Sequence, residues 1–113
     1  MPPEARAYLE DIREAVELLV AFTEGKSLDD YTSDRMLSAA VEREFEIIGE
    51  ALNRLRQTAP TLAARIPKLD QVIAFRNILI HGYRAIDDRV VWSVVQQDLP
   101  SLRAVVKKLL SEV

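Results

Sequence analysis

"VVWSVVQQDLPSLRAVVKKLL", residues 90–110, holds six valines, and valine is a strand former. The spacing says otherwise. Val90, Val91, Val94, Val95, Leu99, Leu102, Val105, Val106 and Leu109 recur every three or four residues, which is the period of a helix and not the alternation of a strand. The segment therefore reads as one long amphipathic helix starting at an N-cap near Asp87 or Asp88, with Pro100 kinking or dividing it. With its most strand-like segment helical, the whole chain reads as all-α.

The rest of the chain agrees. Upstream, Pro67 opens a third helix from about Lys68 to His81, closed by Gly82, after a loop or single turn at 61–66. The second helix follows Ser33, carries Leu37, Val41, Phe45, Ile48, Leu52 and Leu55 on one stripe, and ends near Thr58 before Pro60. Gly49 lies mid-helix, where glycine costs about 1 kcal/mol against alanine, so close packing or a functional approach is expected to offset it. The first helix runs from Pro3 with Ala5, Leu9, Ile12, Val16 and Leu19 inward, and Gly25 ends it. "KSLDDYTS", residues 26–33, reads as a polar connection with possible caps at Ser27 and Ser33. The expectation is a single domain, residues 1–113, folded as an up-and-down bundle of four main helices.

Composition narrows the function. The 113 residues are 49% hydrophobic and 29% charged, with no cysteine. Disulfides, thiolate metal sites and a cysteine nucleophile are excluded. The N-terminus lacks the pattern of a signal peptide, and no apolar run is long enough for a membrane span, so the expected address is the cytoplasm. A net charge of −3 and a pI near 5.2 would repel a polyanion, so any nucleic-acid role must rest on a local site. Arg103, Lys107 and Lys108 read as a solvated, dipole-favoured helix end. The three glycines do not cluster into a phosphate loop. Glu42, Glu46 and Glu50 recur every four residues, yet Ile78 stands three before His81, so the Glu-x-x-His element of a di-metal bundle is missing.

The chemistry concentrates in "RNILIHGY", residues 76–83, which contains the chain's single histidine. On a helical wheel Val72, Phe75, Ile78 and Leu79 form a core-facing side, Asn77 and His81 share the other, and Arg76 lies between. Ile73 and Ile80 carry the apolar surface further round. A helix greasy nearly all round is buried on two sides, and a second copy of the chain is the simplest source of the second side. A twofold interface would put two copies of His81 in one cleft. RNA cleavage by attack of a 2′-OH on its own 3′-phosphate needs one group to take a proton and another to return one, with Arg76 stabilising the charge on phosphorus. The plainer reading keeps His81 as a helix-end residue that bonds the last carbonyls and favours the dipole.

Arg76, four residues, His81, Gly82 and Tyr83 form R-x-x-x-x-H-x-Y, which resembles the signature of the HEPN ribonucleases and specifically of the HepT toxins of MntA/HepT toxin–antitoxin pairs. "EFEIIGEALNRL", residues 44–55, is similar to that family's glycine-glutamate segment, "FRNILIHGY" to its third-helix end, and "VVWSVVQQDLPSLRAVV" to its final helix. The resemblance implies a homodimeric HEPN-like bundle. Its composite, metal-independent and cofactor-free RNA endonuclease site would pair Arg76 and His81 from two protomers, with Asn77 assisting. Tyr83 would be the tyrosine to which the cognate nucleotidyltransferase antitoxin transfers AMP, silencing the toxin by repulsion and occlusion. Without the resemblance, Tyr83 is also read as a packed ring with a wet hydroxyl, and Glu50 as a pairing or solvated residue. The rival class is a non-catalytic helical dimer that binds a nucleotidyltransferase partner. It separates from the nuclease on the need for His81. A subunit that positions nucleic acid for such a partner is a further reading, weakened by the acidic pI.

Overall fold

Helix α1, Pro3–Thr23, begins with Pro3 in its first turn, where a missing N–H costs nothing. It ends where Gly25 adopts φ +74°, a conformation that glycine takes at no steric cost. The computed structural model describes residues 1–82 and 86–112, and everything below concerns those residues. Their regular structure is all helical, with no strand, as the valine spacing requires.

Helix α2, Leu28–Ser33, replaces the expected polar connection. Ser27 caps it through a capping box, its hydroxyl accepting from the Asp30 N–H while the Asp30 carboxylate accepts from the Ser27 N–H. Ser33 is not a cap: its hydroxyl bonds back to Asp29 O at 2.8 Å, and Asp34 caps the next helix instead. What the apolar pattern missed is Tyr31, wholly buried against Trp92 with ring centroids 5.4 Å apart. Six residues are too few for a helical period to show.

Helix α3, Arg35–Thr58, is the central element. It packs against α1 on one side and α5, Leu69–His81, on the other, while α1 also packs against α7, Leu99–Ser111. Val41, Phe45, Ile48, Leu52 and Leu55 are buried along it, each contributing about 1.5–3 kcal/mol of apolar burial. Phe45 meets Phe75 edge to face at 5.3 Å. A short α4, Pro60–Ala63, turns the chain towards α5. Lys68, expected as the first residue of the third helix, lies outside it at φ +60°, with its ammonium 3.0 Å from Asp98.

The final helix is more divided than a simple proline kink. Asp87 caps α6, Asp88–Ser93, by accepting from the Arg89 N–H. A π turn over Val94–Asp98 follows, in which the Leu99 N–H reaches back five residues to Val94 O. Its cause is Pro100, which has no N–H to give and whose ring presses on the carbonyl four residues before it. Widening the preceding turn relieves that clash, and α7 starts with Pro100 in its first turn. Arg103 of α7 then grips Glu17 of α1 with two hydrogen bonds of 2.9 Å. None of the helices is long and apolar enough to cross a membrane.

Candidate active site

Helices α3 and α5 meet at Gly49 and Arg76. A Cβ on Gly49 would overlap the Cβ and Cγ of Arg76, so the mid-helix glycine is the condition for that approach. Close packing is what offsets its cost, and the group packed against it is the arginine singled out in the sequence.

The Arg76 side chain, 25% exposed, is held at both ends of its guanidinium. Nη2 donates to Glu50 Oε2 at 2.7 Å and Nη1 donates to Asn77 Oδ1 at 3.0 Å. Its Nε is buried with no hydrogen-bond partner among the described residues. Glu50 turns its other oxygen, Oε1, to Arg54 Nε at 2.9 Å, the next turn along α3. Glu50 and then the hydroxyl of Tyr8 on α1 make the Arg54 guanidinium hold its proton more tightly than usual. Glu50 is thus a pairing residue, as its place beside Gly49 suggested, and its main partner is Arg76, 26 residues away. No sequence spacing points to that pair.

These groups border an open groove of about 400 Å³ between α1, α3 and α5. Arg43, Arg54 and Arg76 line it together with Asp11, Glu46 and Glu50, so its formal charge is balanced. It is a place where guanidinium groups are held, not a broad basic surface.

His81 is the last residue of α5 and is exposed. The backbone closes the helix without it, since the Gly82 N–H donates to Ile78 O at 2.7 Å. His81 lies five positions after Arg76, about 140° around the helix and about 7.5 Å along it. Arg76 turns to α3 and His81 turns outward, so one chain does not bring the two together. Asn77 links the sides: it bonds Arg76 and lies one turn before His81 on the same face. Tyr83 lies outside the described residues.

The outward face corrects one expectation. Ile78, assigned to the core stripe, is 54% exposed, whereas Ile73, placed on the periphery, is buried. Ile78 and Ala74 border a second open groove, about 310 Å³, between α5 and Val94 of the π turn. An exposed isoleucine beside the histidine leaves the second side of α5 uncovered in the single chain.

A family model described as "Ribonuclease HepT-like" matches residues 12–109. The chain belongs to the HepT-like ribonuclease family. Among relatives of this HepT-like chain, "Probable ribonuclease HepT" of Thermococcus cleftensis is 40% identical over 102 residues, covering 90% of this chain and 92% of its own. A "Putative RNase" of Caldanaerobacter subterraneus subsp. tengcongensis is 32% identical over 95% of each chain. A Methanocaldococcus jannaschii protein named "Gamma-glutamylcyclotransferase and putative RNase" is 34% identical over 99% of this chain, which spans 50% of that relative. No solved structure matches.

Proposed function

We propose that this HepT-like chain is the toxin of a prokaryotic toxin–antitoxin pair, a metal-independent RNA endonuclease whose site is completed by a second copy of the chain. The observation that carries this reading is the placement of the two motif residues. Arg76 is anchored in the α3–α5 groove and His81 stands on the outward face of the same helix beside exposed Ile78. A twofold pairing through that face would bring two copies of His81 to one cleft and cover the apolar side chains.

In that cleft one imidazole takes the 2′-OH proton as the 2′-oxygen attacks the adjacent phosphorus. The other protonates the departing 5′-oxygen. The products are a 2′,3′-cyclic phosphate and a 5′-hydroxyl. Arg76 stabilises the added negative charge on the phosphoryl oxygens, and Asn77, bonded to Arg76 and one turn from His81, keeps the two groups in register. Neither a metal nor a cofactor enters these steps. Tyr83, two residues beyond His81, is the acceptor for AMP from an MntA-like nucleotidyltransferase antitoxin, and the added phosphate and purine close the cleft to RNA.

The test is cleavage of RNA in EDTA by unmodified wild type and by His81→Ala, with folding and association state checked for both. Cleavage by wild type, cyclic phosphate ends and loss in the variant are expected. One observation favours the rival, a non-catalytic dimer that binds the nucleotidyltransferase: the Arg76–Glu50 pair is also a structural tie between α3 and α5. No cleavage of several RNA classes by folded, unmodified wild type would select it, and equal cleavage by wild type and His81→Ala would remove the histidine from the mechanism.

A further inference from the structure

Arg76 does not own its carboxylate. Glu50 Oε2 takes Arg76 Nη2 at 2.7 Å, and Glu50 Oε1 takes Arg54 Nε at 2.9 Å. An arginine facing a free carboxylate tends to form two parallel hydrogen bonds, which fix its plane and use up one edge of the fork. Here Arg54 draws the second oxygen to itself and sets the plane of the carboxylate, and Glu50 holds Arg76 at one point only. The remaining N–H groups of the two Nη atoms stay available for an incoming phosphate oxygen. Arg54 is itself 58% exposed, yet it is fixed on Glu50 by helical i,i+4 spacing in the favourable order, glutamate first.

We propose that Glu50 and Arg54 are positioning residues for the Arg76 guanidinium, Glu50 as its anchor and Arg54 as the competitor that keeps the anchor to a single bond. The inference rests on the ribonuclease reading of Arg76 and deepens it. Removing Glu50 lets Arg76 leave the position that Gly49 makes room for. Removing Arg54 frees Oε1, and Glu50 then grips Arg76 at two points and withdraws an edge from the phosphate. The two losses differ in cause, and a third substitution separates them: glutamine at 50 cannot make the two-point ionic grip, so it should restore activity to a chain lacking Arg54.

The experiment has two readouts on the full chain. The first is the ¹H–¹⁵N signal of the Arg76 side-chain Nε–H in solution, which requires no turnover. Because Nε is buried, its proton should exchange slowly in wild type, and Glu50→Ala should move the signal to the position and fast exchange of a free arginine. The second is the rate of cleavage, in EDTA, of a mixed-sequence RNA. Glu50→Ala should lower kcat by roughly tenfold or more, the scale of a misplaced catalytic group. Arg54→Ala should lower it about two- to fivefold, the scale of one exposed ion pair, and in the Glu50→Gln background the same change should have no effect.

A loss on Arg54→Ala that persists unchanged in the Glu50→Gln background, with a weaker salt dependence, would make Arg54 a direct phosphate contact and overturn the competitor role. An active wild type with Glu50→Ala unchanged in rate and in the Nε–H signal would overturn the anchor. A wild type that cleaves no RNA would overturn the ribonuclease reading, and this positioning role with it.

Discussion

The two sides of α5 are built for different ends. On the inner side Val72, Ile73, Phe75 and Leu79 are all under a tenth exposed, and Phe75 sits edge to face on Phe45. On the outer side Asn77, Ile78 and His81 face away from the chain. The inner side is finished within one polypeptide and holds the fold together. The outer side pairs an exposed isoleucine with the histidine of the motif, and its apolar surface is left for something else to cover. Arg76 lies at the boundary, tied inward by Glu50 and sideways by Asn77, so the stable side of the helix fixes one half of the proposed site.

The sharpest way to break this contrast is to truncate the inner side. Phe75→Ala should cost about 3–5 kcal/mol and lower Tm by roughly 12 °C or more, measured by thermal unfolding. A change of only a degree or two would mean that the inner side is not the stabilising one. Next comes the boundary. Gly49→Ala gains about 1 kcal/mol of helix propensity but drives a methyl into the Arg76 stem, an overpacking cost of about 1–3 kcal/mol. Tm should fall modestly while RNA cleavage falls far more, because the displaced group is Arg76 itself. Equal Tm and equal cleavage would deny that the close approach matters.

The outer side responds differently. Ile78→Asp should leave helix content unchanged and the stability of the single chain within about 0.5 kcal/mol of wild type, because Ile78 is exposed within one protomer. In sedimentation it should convert a dimer to a monomer and abolish cleavage. A dimer that survives the substitution would move the interface elsewhere.

The smallest effect is expected away from α5, at Glu42. Burial first, then the nearby Asp88 and Glu46 carboxylates, raise its carboxyl above the usual range. A carboxyl raised by folding binds its proton more tightly in the folded chain, so this group's contribution to stability falls as pH rises through the folded value. Glu42→Gln should therefore raise Tm slightly near pH 7, by at most about 3 °C for a group only partly buried. It should change little near pH 4. Glu50, eight residues further along α3 and paired with two arginines, has the opposite surroundings, and Glu50→Gln should show no such gain.

By itself the sequence determined the all-helical class, the long helices α1, α3 and α5 with most of their buried stripes, a cap at Ser27 and another at Asp87 or Asp88, and the motif containing Arg76 and His81. Each of these is a local matter of period, turn chemistry or spacing along one helix. Tertiary structure alone decided that Ile78 is open and Ile73 closed, because a wheel shows where side chains point but not which directions a neighbouring helix covers. It decided the burial of Tyr31, which depends on Trp92 sixty-one residues away. It also decided the anchoring of Arg76, because Glu50 and Arg76 belong to different helices and meet only where Gly49 lets the two backbones come close.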